Sequence, residues 1–281
     1  MNCEQDYEAH KADVEKLASY YKKIGVKMLL MKGYGLSLNY PQPSHRPMGD
    51  IDVYLYGQGA LADKKLSESL GVPVKLNSDK HSQFTFGGTA VENHAYIVGV
   101  PVHPCLKELN AALENEALNA TEIGDNVWLP FPMFNALFLP YHCANHFAQG
   151  EASVRQICDW ACFVQRYGAE VDWERVRELA VKSGYYPFYC CLNGIVKDCL
   201  GVPASYLPSW PCDDAMMHRV LDSILAPRKE VKTLVGKVRR YFSAGWKYRL
   251  VYADNMLASS FRLAKSYIRL HDDNAKSLWE R

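Results

Sequence analysis

The sequence predicts an α+β protein in which a small mixed β-sheet with flanking helices is followed by an all-helical C-terminal region. The first observation is a compact unit at 28–56, where two apolar strand-like runs enclose a glycine turn and a short helix. The second is a pair of alternating segments around Gly87-Gly88, which is typical of a β-hairpin. The third is that apolar residues recur at helical spacing beyond residue 130.

The same patterns order the elements and divide the chain. Pro130 and Pro132 interrupt the pattern, so we expect a first domain at 1–129 and a helical domain at 130–281. The first predicted elements are a helix at 4–24, strands at 28–31 and 51–56 around a short helix at 36–40, and a short helix ending at Gly71. Strands at 72–76, 81–86 and 90–98 follow, and then a helix at 106–119 and two short strands within 121–129. The helical domain has predicted helices at 133–147 (starting or kinked at Pro140), 154–167, 172–183, 187–200 and beyond 215.

Composition is that of an ordinary soluble globular protein. The 281 residues are 48% hydrophobic and 22% charged, enough to bury a core in two domains. A net charge of +1 gives no global field that would attract nucleic acid or acidic membranes. The nine cysteines lack the spacing of a disulfide framework, the N-terminus is too polar for a signal peptide, and no apolar run is long enough to span a bilayer. We expect a cytoplasmic protein with reduced thiols.

Two acidic residues open the second apolar strand. Asp50 and Asp52 point to the same side of that strand, while Ile51 and Val53 point to the core. Paired carboxylates repel each other unless a cation lies between them, and such oxygen ligands suit Mg²⁺. The alternative is a strand entry with two solvated acids. The compact strand, turn and helix around the pair favour the cation site.

This unit resembles the nucleotidyltransferase superfamily with the DNA-polymerase-β-like fold. More narrowly, it is similar to an uncharacterised bacterial nucleotidyltransferase family with a Lys-Gly turn and an Arg-x-x-Gly-Asp-x-Asp strand entry. The residues that carry the resemblance are Lys32, Gly33, Arg46, Pro47, Met48, Gly49, Asp50, Ile51 and Asp52. The superfamily at large usually has Gly-Ser at the turn, where this chain has Lys-Gly-Tyr-Gly.

The resemblance implies that the turn binds an NTP. Backbone N–H groups of the turn and of the helix behind it would lie beneath the phosphates, and Lys32 would pair with a phosphate oxygen or stand as a solvated strand-end lysine. Arg46 would contact the triphosphate or hold the aspartate pair by a salt bridge. The predicted phosphate-binding residues are Lys32, Gly33, Tyr34, Arg46 and Gly49.

A third carboxylate is expected on a neighbouring strand. In the resembling superfamily a third acid completes a two-metal site, and the narrower family has a Val-Glu-x-His strand that Val91-Glu92-Asn93-His94 matches. Asp50, Asp52 and Glu92 would then hold Mg²⁺ or Mn²⁺. His94 would support the ligands or touch the substrate. The alternative for Glu92 is a solvent-facing strand acid.

The helical region offers weaker candidates. His142 and His146 have a spacing that can chelate zinc, but no third ligand is evident, which favours packed or substrate-lining histidines. Asp159 lies within an apolar helix and would pair with one of them. Basic residues are interleaved with aromatic residues between Arg228 and Arg249, a pattern that could meet nucleic acid or a membrane face but is more typical of a solvated surface.

These observations predict an enzyme that transfers a nucleoside monophosphate from an NTP to a hydroxyl group. The acceptor could be a small molecule, a protein or an RNA end, and the residues do not choose among them. The alternatives are a catalytically weak nucleotide-binding or regulatory protein and a toxin–antitoxin component with the same fold. Loss of the usual turn serine suits the weak protein, whereas the intact Asp50 and Asp52 argue against it.

Overall fold

The computed structural model describes residues 3–76, 80–226 and 243–279. The chain forms two compact units, one of Met1–Val102, Asn110–Phe134 and Ser260–Arg281, the other of His103–Leu109 and Asn135–Ser259. The predicted functional division at 129/130 stays a prediction. Most of the basic stretch, from Arg228 to Phe242, lies outside the described residues.

A mixed seven-stranded sheet forms the centre of the first unit, which confirms the predicted α+β class. Its strand order is β3-β4-β5-β2-β1-β7-β6, with parallel β2–β5 and β1–β7 pairs and antiparallel pairs elsewhere. The strands are β1 (Met28–Leu30), β2 (Ile51–Tyr54), β3 (Lys75–Leu76), β4 (His81–Phe86), β5 (Thr89–His94), β6 (Thr121–Gly124) and β7 (Val127–Leu129).

Helices account for most of the remaining described chain. They are α1 (Cys3–Lys23), α2 (Tyr34–Ser37), α3 (Gly59–Leu70), α4 (Lys107–Ala117), α5 (Pro132–Gln149), α6 (Val154–Tyr167), α7 (Trp173–Ser183), α8 (Tyr186–Leu200), α9 (Asp214–Leu225), α10 (Gly245–Val251) and α11 (Met256–Trp279). None of the described helices is long and apolar enough to cross a membrane.

The core of the first unit lies between the sheet and the helices α1 and α3. Apolar residues of α1 recur at helical spacing, so that Val14, Leu17 and Tyr21 share a buried face. They pack with the apolar side of β2, where Ile51 and Val53 are fully buried, as the alternation predicts. This packing fixes β2, the strand that carries Asp52 and that Asp50 precedes.

Helix α5 runs continuously through Pro140. A proline removes the N–H that would bond to the carbonyl four residues earlier, here that of Ala136. The Tyr189 hydroxyl donates to the Ala136 carbonyl at 2.8 Å, and the Tyr185 hydroxyl donates to the Leu137 carbonyl at 3.3 Å. Two buried tyrosines therefore satisfy carbonyls in the turn before the proline, which lets the helix continue.

Four strands are shorter than the sequence pattern predicts: β1 and β2 end early, at Leu30 and Tyr54, and two others differ more. The strand expected at 72–76 is reduced to Lys75–Leu76. The strand expected at 90–98 ends at His94, because the N–H groups of Ala95 and Tyr96 both donate to the Lys80 carbonyl and the chain turns there. This end of β5 bears directly on the candidate site.

Candidate functional site

The candidate site is built on the parallel pair β2–β5. Asp52 of β2 lies opposite Glu92 of β5, and Tyr54 lies opposite His94. Side chains two residues apart on a strand share a face, so Asp52, Glu92 and His94 converge. One ligand atom from each lies within 4.8 Å of the others, close enough to share a metal ion. This is the only such cluster of three in the part of the chain that the structure describes.

Asp52 is the centre of the cluster and is fully buried. Its Oδ1 lies 2.8 Å from Lys32 Nζ and 3.1 Å from His94 Nε2. Burial opposes ionisation, but the positive charge of Lys32 and the contacts with His94 outweigh it and hold the pKa of Asp52 below its usual range. Asp52 is therefore a carboxylate at neutral pH. Its other oxygen, Oδ2, is buried without a hydrogen-bond partner.

Two lysines face these carboxylates. The Met31 N–H donates to the Asp52 carbonyl at 3.0 Å, which places the next residue, Lys32, beside Asp52. Burial alone would lower the pKa of Lys32, but the charges of Asp52 and Asp50 raise it. Burial and the charge of Lys32 lower the pKa of Lys80 to about 8. The two lysines give the site positive charge next to its acids.

Asp50 and Glu92 differ in their electrostatics. The pKa of Asp50 is raised, first by burial and then by the neighbouring Asp52 carboxylate. For Glu92 burial is the largest influence and acts in the same direction, but the contacts with His94 and His81 together outweigh it and lower the pKa. Asp50 does not belong to the three-residue cluster that the ligand distances define. Of these three acids, Asp50 is the one whose pKa is raised, whereas the pKa values of Asp52 and Glu92 are lowered.

The turn between β1 and α2 brings backbone close to the acids. Gly33 has a φ of +63°, which favours glycine, and a Cβ there would lie 2.9 Å from His10 Cε1 and 3.3 Å from the Asp50 carbonyl oxygen. Tyr34 opens α2 and is half-buried, and Gly49 is exposed directly before Asp50. Phosphate binding by these residues stays a prediction.

Arg46 is a buried residue of the segment that leads into β2. It is 4% exposed, and its guanidinium donates to the Pro47 carbonyl at 3.3 Å. Burial, and with it the charge of Arg46, lowers the pKa of His10, whose Nε2 lies 3.5 Å from the Asp50 carbonyl oxygen. Triphosphate contact and support of the aspartates both stay open as roles for Arg46.

The remaining predicted residues lie in the second unit. The rings of His142 and His146 are 4.4 Å apart in an edge-on arrangement, and His146 Nδ1 lies 3.5 Å from Glu151 Oε2. Asp159 is buried on α6, where its charge helps raise the pKa of the Cys143 thiol beyond the effect of burial. A pairing of Asp159 with either histidine stays a prediction, as does a role in substrate binding.

Three residues of the site escaped the sequence interpretation. Lys80, His81 and His10 border the acids, and His81 Nε2 lies 3.5 Å from Glu92 Oε1. Burial lowers the pKa of His81 to about 4, so this ring is neutral near pH 7. The signal for His81 was its place in the predicted hairpin, because it lies opposite His94. Nothing in the local pattern marked Lys80 or His10.

The donor set fits a divalent cation. Two carboxylates and an imidazole meet at one point, and one buried carboxylate oxygen lacks a partner. Buried polar atoms are rarely left unsatisfied, so Oδ2 of Asp52 marks a place for a positively charged ligand.

Comparison with known protein families finds a match to one family. The model of a family described as "uncharacterised nucleotidyltransferase" matches residues 2–201, which is more than half of the chain and includes the whole cluster. A comparison with curated proteins finds no match.

Proposed function

The chain belongs to the uncharacterised nucleotidyltransferase family, and we propose that it moves a nucleoside monophosphate from an NTP to a hydroxyl acceptor in a reaction that requires Mg²⁺ or Mn²⁺. Family membership supports the general class of reaction. The requirement for a cation, the roles of single residues and the hydroxyl acceptor are the proposal.

One observation carries the proposal. Asp52 is an ionised, fully buried carboxylate whose Oδ2 has no partner, and it lies opposite a second carboxylate, Glu92, on the adjacent strand. Asp52 and Glu92, with Asp50 beside them, would hold the cation. When bound, a divalent cation neutralises triphosphate charge and lowers the pKa of a hydroxyl group.

The chain's own residues would perform three tasks. Lys32 and Lys80 would complement the negative phosphates, and backbone N–H groups of the turn at Gly33 would bind them. Asp50, with its raised pKa, accepts the proton of the acceptor hydroxyl more readily than Asp52 does. The acceptor oxygen then bonds to the α-phosphorus, the bond from that phosphorus to the bridging oxygen breaks, and pyrophosphate leaves.

The test is transfer of label from α-³²P-labelled NTPs in the presence of Mg²⁺ or Mn²⁺. Cell lysate serves as the acceptor source and is afterwards separated into protein, RNA and small-molecule fractions. Wild-type protein is compared with Asp52→Asn, which keeps the shape of the side chain and removes its charge.

Label in one fraction that disappears with Asp52→Asn supports the proposal and names the acceptor class. Equal label from both proteins contradicts the assigned role of Asp52. Cation-dependent NTP binding without label in any fraction favours the catalytically weak nucleotide-binding or regulatory alternative. Growth arrest on expression that depends on Asp52 would favour the toxin–antitoxin alternative.

A further inference from the structure

The His94 imidazole lies between two carboxylates. Its Nε2 lies 3.1 Å from Asp52 Oδ1 and 3.6 Å from Glu92 Oε2, and its side chain is 1% exposed. Acids of this kind of site ordinarily meet a cation with oxygen atoms alone. Here a nitrogen atom stands at the same point as the two carboxylates.

The hydrogen-bond partner of the second ring nitrogen, Nδ1, indicates which tautomer His94 adopts. Nδ1 lies 3.4 Å from the Tyr96 carbonyl oxygen, an acceptor, so Nδ1 carries a proton. The ring can then be an imidazolium that also donates from Nε2, or a neutral ring whose Nε2 lone pair faces the carboxylates. A lone pair beside two carboxylates is repulsive unless a cation lies among them.

The unpartnered Oδ2 of Asp52 distinguishes between these two states of the His94 ring. An imidazolium bonded at Asp52 Oδ1 adds a second donor to an atom that Lys32 Nζ already contacts at 2.8 Å, and it leaves the buried Oδ2 without a partner. A cation shared by His94 Nε2, Glu92 and the Asp52 carboxylate would satisfy the lone pair of the ring and supply the positive charge that Oδ2 lacks.

We propose that His94 Nε2 is a metal ligand together with Asp52 and Glu92, and that this nitrogen makes the site favour a first-row transition-metal dication over Mg²⁺. Imidazole suits transition ions, whereas Mg²⁺ prefers oxygen ligands and retains its water. The Tyr96 carbonyl orients the ring, as acceptors behind metal-bound histidines do. The inference rests on the proposed function, because it assigns the cation of the same site.

His81 provides the matched control. It is a neighbouring imidazole whose ring lies 5.4 Å from that of His94, and its Nε2 lies 3.5 Å from Glu92 Oε1. It does not belong to the group whose ligand atoms meet within 4.8 Å. His81→Gln therefore removes a nearby nitrogen without removing the assigned ligand.

The experiment loads the full chain with Mn²⁺ alone and measures pulsed electron paramagnetic resonance, which detects ¹⁴N bound directly to the ion. The wild-type and His81→Gln proteins should show the nitrogen coupling, and His94→Gln should lose it. In competition titrations, the preference for Mn²⁺ over Mg²⁺ should fall about tenfold in His94→Gln.

Wild-type protein that binds Mn²⁺ without nitrogen coupling, or that does not bind Mn²⁺, would overturn the inference even if His94→Gln failed to fold. Coupling that survives in His94→Gln and disappears in His81→Gln would assign the wrong histidine and overturn it as well. Transfer of α-³²P label with Mg²⁺ is measured separately. The nitrogen assignment can therefore fail while nucleotidyl transfer is supported or contradicted by its own measurement.

Discussion

One histidine–carboxylate pair in each unit brings a ring nitrogen to nearly the same distance from a carboxylate oxygen, although the first pair is buried and the second is partly buried. In the first unit His94 Nε2 lies 3.1 Å from Asp52 Oδ1, and in the second unit His103 Nδ1 lies 3.2 Å from Asp254 Oδ2. The surroundings differ. His103 stacks on the Tyr252 ring at 3.8 Å between centroids, and the Ser259 hydroxyl donates to Asp254.

The difference lies in what each pair leaves unsatisfied. Among the described residues, Asp52 has a buried oxygen without a partner, whereas His103 and Asp254 have no such atom. A satisfied pair is the pattern expected of a structural contact, and an unsatisfied one marks a place for a ligand. Residue type and distance alone therefore do not separate a structural pair from a functional one.

The largest expected effect is on activity at Asp52. We expect Asp52→Asn to lower nucleotidyl transfer at least about 10³-fold, or about 4 kcal/mol of transition-state stabilisation, because the site loses its ionised ligand. Stability should fall as well, by about 3 kcal/mol, because the buried Lys32 ammonium loses the carboxylate that lies 2.8 Å away. Label transfer and urea unfolding measure the two quantities. Asp254→Asn is the control and should keep activity within about twofold. Equal losses of activity in both variants would contradict the functional difference between the two pairs.

The second expected effect concerns pH and the neutral histidine beside the site. The folded pKa of His81 is about 4, below the unfolded value of 6.5, so its contribution to stability is present above pH 6.5 and is lost as pH falls towards 4. This contribution is at most about 3 kcal/mol. Urea unfolding between about pH 4 and 7.5 should show a wild-type advantage over His81→Gln that shrinks on acidification. An advantage independent of pH would contradict the depressed pKa.

The third expected effect is on the stability of the satisfied pair. We expect His103→Gln to lower the unfolding free energy by about 2 kcal/mol, because the ring stack and the Asp254 contact are lost. Transfer activity per folded molecule should not change. Thermal and urea unfolding give the first quantity, and label transfer at a temperature where both proteins are folded gives the second. Preserved stability with lost activity would reverse the assignment of the two pairs.

The smallest expected effect is that of alanine at two glycines, which distinguishes loss of stability by backbone strain from loss of activity at the turn. Gly25 and Gly33 both have positive φ, but a Cβ at Gly25 meets nothing within 4 Å, whereas one at Gly33 lies 2.9 Å from His10 Cε1. Gly25→Ala should lose about 1 kcal/mol of stability to strain, and Gly33→Ala should lose more because its Cβ also meets the His10 ring. Only Gly33→Ala should also lose transfer activity, by about tenfold. Similar transfer activity in the two variants would argue against phosphate binding by the turn at Gly33.

Much of the fold could be predicted because local patterns agreed with the final packing. The apolar stripe of α1, the alternation in β4 and β5, and the glycine turn between them all describe contacts within a few residues. The α+β class follows from those patterns. Asp50, Asp52 and Glu92 could be proposed for the same reason, since strand alternation and a family motif mark them.

The rest depended on pairings that a single sequence does not encode locally. The β2–β5 register, which sets Asp52 opposite Glu92, joins segments 40 residues apart. The contact of Tyr189 with the Ala136 carbonyl, across 53 positions, is of the same kind. Lys80 escaped prediction because its carbonyl contacts with Ala95 and Tyr96 form only when β5 ends at His94. The unsatisfied Oδ2 of Asp52 is a property of the packed site alone.

Nucleotidyl transfer at this site is tested directly by following two labels of one NTP through the reaction. Wild-type protein is supplied with the NTP carrying ³²P at the α-position or at the γ-position, with the acceptor fraction and a divalent cation. We predict that α-label joins the acceptor while γ-label leaves as pyrophosphate in equal amount, and that Asp52→Asn abolishes both. Transfer of γ-label to the acceptor, or release of phosphate without α-label transfer, would contradict nucleotidyl transfer at this site.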